Sequence, residues 1–303
     1  MRVLVAGGAG MIGTALVRYL RGGGHEAVVA DVDVDGHDLR RSEAADWAMS
    51  CRPDAVIDCA CRTCGIGYSM THHAEMFHHT SAVPISLMEA AQKAGVGKYL
   101  VVSSACVYSD DTPVPNVEED GDKGDPETAN YGYGWGKRLA EVQGRLYAQQ
   151  YGMRVVIVRP ANVYGPSYNW TSHPDMHVIP SLLTRMLRGD DPLVVWGSGR
   201  QTRSFLHEID CARRMVSLLE KGNSGEAYNL GGDEVSIREL ARALADLCGY
   251  RGDIQFDLGK PEGPRRKAQD ISKMRRVLPG LTSVPLTEGL LMVVEAARRE
   301  LGR

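Results

Sequence analysis

The apolar run Val3–Ala6 breaks directly into Gly7-Gly8-Ala9-Gly10-Met11-Ile12-Gly13, and an amphipathic stretch, Thr14–Arg21, follows. Strand, glycine turn and helix in that order constrain the fold more than any other feature of the chain. Glycines at the turn permit a sharp bend and a close backbone approach to a ligand. The helix then offers its first N–H groups and the positive end of its dipole to an anion. This context predicts a dinucleotide pyrophosphate site on Gly7, Gly10, Met11, Ile12 and Gly13.

The second apolar run, Ala27–Asp31, ends in a carboxylate about eighteen residues after Gly13. A carboxylate there accepts from a ribose 2′-hydroxyl and repels a 2′-phosphate. Val32 and Asp33 supply no cation, and Arg40 and Arg41 lie further along. NAD is therefore favoured over NADP. Asp38 and Leu39 are placed to flank the adenine, or Asp38 caps the helix that follows.

Apolar runs and helical patterns go on alternating: strands at Ala55–Asp58, Tyr99–Ser103 and Val155–Val158, helices at Ser42–Cys51, Glu75–Ala94 and Gly134–Tyr151. All-apolar strands separated by helices predict a parallel sheet covered on both faces. After about residue 165 the pattern changes. Loops rich in Pro, Gly and Asn around Pro160–Pro174 lead to helices at Ile179–Arg188, Glu208–Glu220, Ile237–Cys248 and Thr287–Arg299. Short strands are expected at Leu193–Trp196, Ala227–Leu230 and Ile254–Phe256. The expected fold is α/β: a Rossmann-type, doubly wound parallel sheet over 1–165 and a smaller α/β substrate-binding lobe over 166–303. Some later elements are free to return to the first sheet. Asp110–Asp125, acidic and proline-bearing, reads as a surface loop.

Composition excludes several classes. A net charge of −3 over 303 residues suggests neither a nucleic-acid partner nor an anionic membrane surface. No apolar stretch approaches the ~18 residues of a membrane span. Seven cysteines fit a reducing cytosol better than a disulfide framework. Cys59, Cys61 and Cys64 form C-x-C-x-x-C near His72, His73, His78 and His79, but the first two would alternate faces at a strand end. We read the cysteines as packing and expect no metal.

Tyr133 and Lys137 are spaced Tyr-x-x-x-Lys at the start of a predicted helix, on one face. A nearby ammonium and a nicotinamide cation would lower the phenol from its ordinary pKa near ~10. Ser104, ending a strand, would bond the same substrate oxygen. Tyr131 has the wrong spacing to Lys137. Cys106, two residues after the serine, adds a thiol, so proton transfer at a neighbouring carbon becomes possible.

This pattern resembles the extended short-chain dehydrogenase/reductase superfamily over essentially the whole chain. Ser103-Ser104-Ala105-Cys106-Val107-Tyr108 is similar to strings of the GDP-mannose 3,5-epimerase and GDP-L-fucose synthase families. Arg159–Pro166 resembles their sugar-nucleotide loop. His177–Leu183 and Lys260–Lys267 are closer to the synthases, and Trp196–Phe205 to the epimerases. The resemblance implies that Cys106 and His177 are the acid/base pair at C3 or C5. It also implies that Asn162, Arg185, Arg203 and Arg266 meet the sugar diphosphate and that Gly65 lies in a substrate-side loop. Asp31 is epimerase-like and His177 synthase-like.

The reading this favours is an NAD-dependent nucleotide-sugar epimerase, best matched to GDP-mannose. It would oxidise C4 transiently, invert C3 or C5, and re-reduce. The rival is a GDP-4-keto-6-deoxy-sugar epimerase-reductase consuming NAD(P)H. A binding protein without turnover would have no use for the full Ser104, Cys106, Tyr133 and Lys137 set. A cytoplasmic homodimer, paired through the helices at Glu75–Ala94 and Gly134–Tyr151, is expected from the family.

Overall fold

The structure, a computed structural model, describes residues 1–170, 176–260 and 262–302. β1 (Arg2–Ala6) feeds α1 (Met11–Gly22) through the glycine turn and is followed by β2 (Glu26–Ala30), α2 (Val32–Asp35) and α3 (Ser42–Ala48). Next come β3 (Ala55–Asp58), α4 (Ile66–Ser69), α5 (His73–Lys93), β4 (Lys98–Val102), α6 (Tyr131–Tyr151) and β5 (Arg154–Pro160). Then follow β6 (Asn162–Tyr164), α7 (Val178–Arg188), β7 (Leu193–Trp196), β8 (Thr202–His207) and α8 (Glu208–Lys221). The chain closes with β9 (Ala227–Leu230), β10 (Asp233–Ser236), α9 (Ile237–Cys248), β11 (Ile254–Asp257), β12 (Arg266–Lys267), α10 (Ser272–Val277) and α11 (Leu286–Leu301).

Six strands form one parallel sheet in the order β2-β1-β3-β4-β5-β9. Strand alternation explains its layers. Val3 and Val5 join a core with Leu16, Leu20 and Met215, while Leu4 and Ala6 join another with Leu87, Met88 and Ala140. With both faces buried, the central strand positions are apolar, and polar residues such as Asp58, Arg159 and Asn229 sit toward the strand ends. β9 lies at residues 227–230 yet completes this sheet, and α8 packs on α1.

The remaining strands build smaller sheets. β10, β8 and β12 run side by side, β6 also pairs with β8, and β7 pairs with β11. A third core, including Leu183, Leu244 and Val293, holds α7, α9 and α11 together. β8 escapes a reading based on apolar runs because it opens on Thr202, Arg203 and Ser204.

The segment expected to be a surface loop, Asp110–Asp125, is partly interior: Asn116, Glu118 and Asp120 are buried. Glu118 Oε1 accepts from the Asn229 N–H at 2.9 Å, and its carbonyl accepts from Arg159 Nη1 at 2.7 Å. Polar partners on β5 and β9 draw an acidic segment inward, which acidity and proline content do not reveal.

Candidate active site

The site forms beyond the C-terminal ends of the sheet strands, where β4 runs out at Val102. The Ser103 hydroxyl is held by Glu141 of α6. Ser104 then caps the single turn Ala105–Val107, its Oγ accepting from the Cys106 N–H at 3.1 Å. That turn sets the serine and the thiol close together.

α6 starts at Tyr131 and so carries Tyr133 in its first turn. Gly134 explains how the helix comes so near. A Cβ there would stand 2.6 Å from the Cys106 carbonyl and 2.5 Å from Cβ of Pro126. Tyr133 bonds Ser104, and it also meets Cys61. Lys137 is buried one turn on. Its Nζ donates to the Val102 carbonyl at 2.8 Å and lies 5.6 Å from the Tyr133 ring centroid. Ser104, Cys106, Tyr133 and Lys137 are thus gathered as the sequence spacing predicts. Tyr131 is exposed.

Burial, with Cys61 and Cys106 beside it, pushes Tyr133 well above its ordinary value, although Ser104 opposes the shift. The Lys137 ammonium, spent on the Val102 carbonyl, does not bring it down. The resting phenol is a proton donor.

Around the glycine turn the geometry suits a dinucleotide. A Cβ on Gly13 would collide with the Gly7 carbonyl, so only glycine lets the helix approach the turn this closely. Gly7 takes a φ of +74°, open to glycine and strained for others. Gly10 caps α1 without any side-chain bond, and Met11 and Ile12 follow with no acid in the first turn. Those first N–H groups are therefore suited to an anion. Asp31, capping α2, accepts from the Ala9 N–H at 2.9 Å and the Asp33 N–H at 3.1 Å, which fastens its carboxylate to the glycine turn.

Asp38 and Leu39, expected to flank an adenine or, for Asp38, to cap a helix, differ in burial. Leu39 is buried in the core beneath the sheet. Asp38 is clamped by Arg40, whose Nη2 lies 2.6 Å from its Oδ2, and Arg40 also reaches His79. Arg40 is thereby occupied.

The substrate-side residues separate into inner and outer groups. Gly65 is buried and opens α4. His177 caps α7 at the surface of the smaller lobe. Residues 171–175, and Pro261 of the Lys260–Lys267 string, lie outside the described residues. Asn162 Nδ2 donates to the Ser204 carbonyl at 2.9 Å, and Arg185 is held by Asp190 and the Val194 carbonyl. Arg203 is largely buried near Glu127 and Cys106, and its guanidinium donates to the carbonyls of Thr202, Glu262 and Pro264.

Arg266, expected at the sugar diphosphate, lies at the rim. It faces outward, half exposed, paired with Glu234 at 2.8 Å. Successive residues of a strand point to opposite faces, so its neighbour Lys267 turns inward instead. Lys267 Nζ lies 3.4 Å from Cys106 Sγ and 2.6 Å from Glu127 Oε2. Burial alone would lower Lys267, but Cys106 and Glu127 outweigh it and hold the ammonium above its ordinary value. Burial also works to raise Glu127, yet the charge and bond from Lys267, with bonds from Asn130 and Cys106, bring it down to about 2. Burial pushes the Cys106 thiol up to about 11, with Lys267 opposing and Glu127 adding to the shift. A lysine adjoining two arginines carries no spacing signal, so only its strand parity could have revealed it.

Cys61, read from sequence as packing, instead touches Tyr133. Cys59 does pack: its Sγ donates to the Ala6 carbonyl at 2.9 Å. Among the described residues, no group of three or more His, Cys, Asp or Glu side chains is arranged to hold a metal ion. Among those residues, too, no helix is long and apolar enough to cross a membrane.

The sequence pattern of the family described as "NAD dependent epimerase/dehydratase family" matches residues 3–231, about three quarters of the chain. The chain belongs to that family. As an epimerase/dehydratase it is 34% identical over 274 residues to a GDP-L-fucose synthase of Sinorhizobium fredii, covering 88% of this chain and 86% of the relative. A UDP-glucose 4-epimerase of Thermotoga maritima, solved with UDP-glucose, superposes with a TM-score of 0.89. It is 26% identical, over 99% of this chain and 100% of that one. A GDP-L-fucose synthetase of Naegleria fowleri bound to NADP gives 0.88 at 25% identity, over 99% and 95%. The fold is that of these nucleotide-sugar enzymes, and the chain is an enzyme of the epimerase/dehydratase family.

Proposed function

We propose that this epimerase/dehydratase is a nucleotide-sugar epimerase-reductase, acting on a 4-keto sugar carried by a nucleoside diphosphate, GDP favoured. The observation that carries the proposal is the placement of Tyr133, Ser104 and Cys106 around one point, with Lys137 anchored behind the phenol. A protonated phenol is set to deliver its proton to an oxygen that gains charge. Delivery of that proton completes the reduction of a ketone at C4, the direction proposed here. The GDP-L-fucose synthases among the relatives support the same direction.

A nicotinamide coenzyme, when bound across Gly7–Gly13, supplies the hydride for C4. Tyr133 gives its proton to the C4 oxygen, and Ser104 orients that oxygen. Lys137, anchored on Val102, holds a positive charge behind the phenol. Next to the ketone, the hydrogens at C3 and C5 are acidic. Cys106 moves a proton at one face of such a centre, and we assign the complementary transfer to His177. Asn162, Arg185 and Arg203 are assigned to the sugar diphosphate, and Arg266 is left at the rim. We read Asp31 as favouring NADH over NADPH, because a carboxylate fastened to the glycine turn would repel a ribose 2′-phosphate, and Arg40 is already paired with Asp38. The proposed assembly is a homodimer through α5 and α6.

A second reading, the redox-neutral GDP-mannose 3,5-epimerase, is favoured by Asp31 and by the Ser103–Tyr108 string, while the GDP-L-fucose synthases among the relatives weigh against it. One experiment separates the two. The protein is incubated in deuterated water with GDP-4-keto-6-deoxymannose plus NADH, and separately with GDP-mannose alone. Stoichiometric NADH loss with deuterium at C3 or C5 in the first mixture supports the epimerase-reductase. Deuterated isomers only in the second would replace it with the epimerase. Turnover in neither would discard both.

A further inference from the structure

We infer that Lys267, seated on Glu127, is the positioning residue that sets the protonation and orientation of the Cys106 thiol. The inference rests on the proposed role of Cys106 as a proton-transfer group. Three segments far apart in sequence meet here. Lys267 comes from β12, Glu127 precedes α6, and Cys106 follows β4. The ammonium touches both the sulfur, at 3.4 Å, and the carboxylate, at 2.6 Å.

A structural ion pair would be complete with Lys267 and Glu127 alone. They are well covered, with the lysine side chain 17% exposed and the glutamate 7%. Instead the ammonium directs a further N–H at sulfur, and Asn130 Nδ2 donates at 3.0 Å to the same Glu127 oxygen, Oε2, that the ammonium binds, fixing the carboxylate in place. The remaining polar groups near the thiol are Ser104, whose Oγ accepts from its backbone N–H, Tyr133, with Cys61 behind it, and Arg203. Arg203 is bound to three carbonyls. The Lys267 ammonium is thus the cation in direct contact with the sulfur.

This arrangement solves a chemical difficulty. A thiol that exchanges protons with carbon must pass through the thiolate, and a covered pocket disfavours that anion. When Cys106 removes a proton, the C–H bond breaks, its electron pair enters the enolate of the neighbouring ketone, and an S–H bond forms. In the opposite sense S–H breaks and C–H forms. Lys267 offsets the charge on sulfur in both directions. Glu127 tempers the ammonium, so the thiolate keeps its basicity.

The two partners therefore act on the thiol with opposite signs, and a merely structural pair would not. The test is the alkylation rate of Cys106 by iodoacetamide between pH 7 and 10.5, read peptide by peptide because the chain has seven cysteines. Cys106 is partly exposed, whereas Cys211 is buried and reports unfolding. Lys267→Gln should slow Cys106 alkylation at pH 8 at least fivefold, Glu127→Gln should accelerate it, and Lys267→Arg should stay within twofold of wild type. Equal or same-direction changes in the two neutral variants, with Cys211 still protected, would overturn the inference. If Lys267→Gln unfolds, the pair Glu127→Gln and Lys267→Arg decides alone: no acceleration by Glu127→Gln overturns it. Deuterium incorporation from solvent into the 4-keto sugar nucleotide is measured alongside. The alkylation pattern without any exchange in wild type would sink the functional reading and leave the thiol assignment standing.

Discussion

The Tyr99 hydroxyl donates a 3.0 Å hydrogen bond to Asp58 Oδ2, and both groups are buried beneath the active-site end of the sheet. Burial raises the Asp58 carboxyl from 3.8 to about 6, against the pull of the Lys137 charge and the Tyr99 bond. The folded protein thus prefers the protonated acid. Its stabilising contribution is complete below the unfolded pKa near 4 and is lost as pH rises through about 6. A rise of that size is equivalent to about 3 kcal/mol at most. Asp58→Asn keeps an acceptor for Tyr99 and removes the charge. Urea midpoints should therefore match wild type at pH 3.5 and exceed it at pH 8. Parallel pH profiles for the two proteins would refute this account.

The Asp31 carboxylate is fastened to the glycine turn by the Ala9 N–H, and its charge is what would discriminate between coenzymes. Asp31→Asn retains the backbone acceptor and loses the charge. We expect KM for NADH to rise about tenfold, the scale of one charge-assisted hydrogen bond, while KM for NADPH falls. Steady-state kinetics with both coenzymes read the ratio. A wild-type enzyme that already prefers NADPH would remove the basis of the prediction.

The parallel sheet is legible because its two buried faces force apolar runs, such as Val3–Ala6 and Ala55–Ile57. The glycine turn and the Ser104, Cys106, Tyr133 and Lys137 set were legible because each depends on local spacing. What escaped depends on long-range pairing. β8 hides behind Thr202-Arg203-Ser204, since its partners β10 and β12 come from distant sequence. Leu39 looked like a neighbour of Asp38 in a binding loop, but its apolar side chain goes to the core. Arg266 and Lys267 carry the same charge and differ only in strand parity, which no single-chain pattern assigns. The Cys61 contact with Tyr133 likewise comes from folding a loop after β3 against the first turn of α6.

Gly134 holds the first turn of α6 against the Cys106 loop, so its lack of a side chain is a catalytic matter although it touches no reacting atom. In Gly134→Ala the new methyl meets the Cys106 carbonyl and Pro126 at about van der Waals overlap. The helix must retreat, and Tyr133 goes with it. We expect kcat to fall at least tenfold, because a displacement near 1 Å at a reacting group is costly. Stability should drop by about 1–3 kcal/mol from overpacking. Loss of stability at full kcat would show that the helix can shift without carrying the phenol.

Helices α5 and α6 lie against each other, with Gln143 Nε2 reaching the Ile85 carbonyl at 3.4 Å. On this pair Ile85, Val142 and Leu146 remain exposed, as does Phe77. Apolar side chains on two packed helices are what a second copy of the same pair would cover, at about 25 cal/mol per Å² removed from water. The wild-type protein should therefore run as a dimer by light scattering, and Leu146→Glu, which puts a carboxylate into that surface twice over, should shift it to monomer. The fold of the monomer should survive, because Leu146 points away from both sheet cores and makes no contribution to either. A wild-type monomer at tens of micromolar would leave these helices without the proposed partner, and an unchanged dimer in Leu146→Glu would move the interface elsewhere.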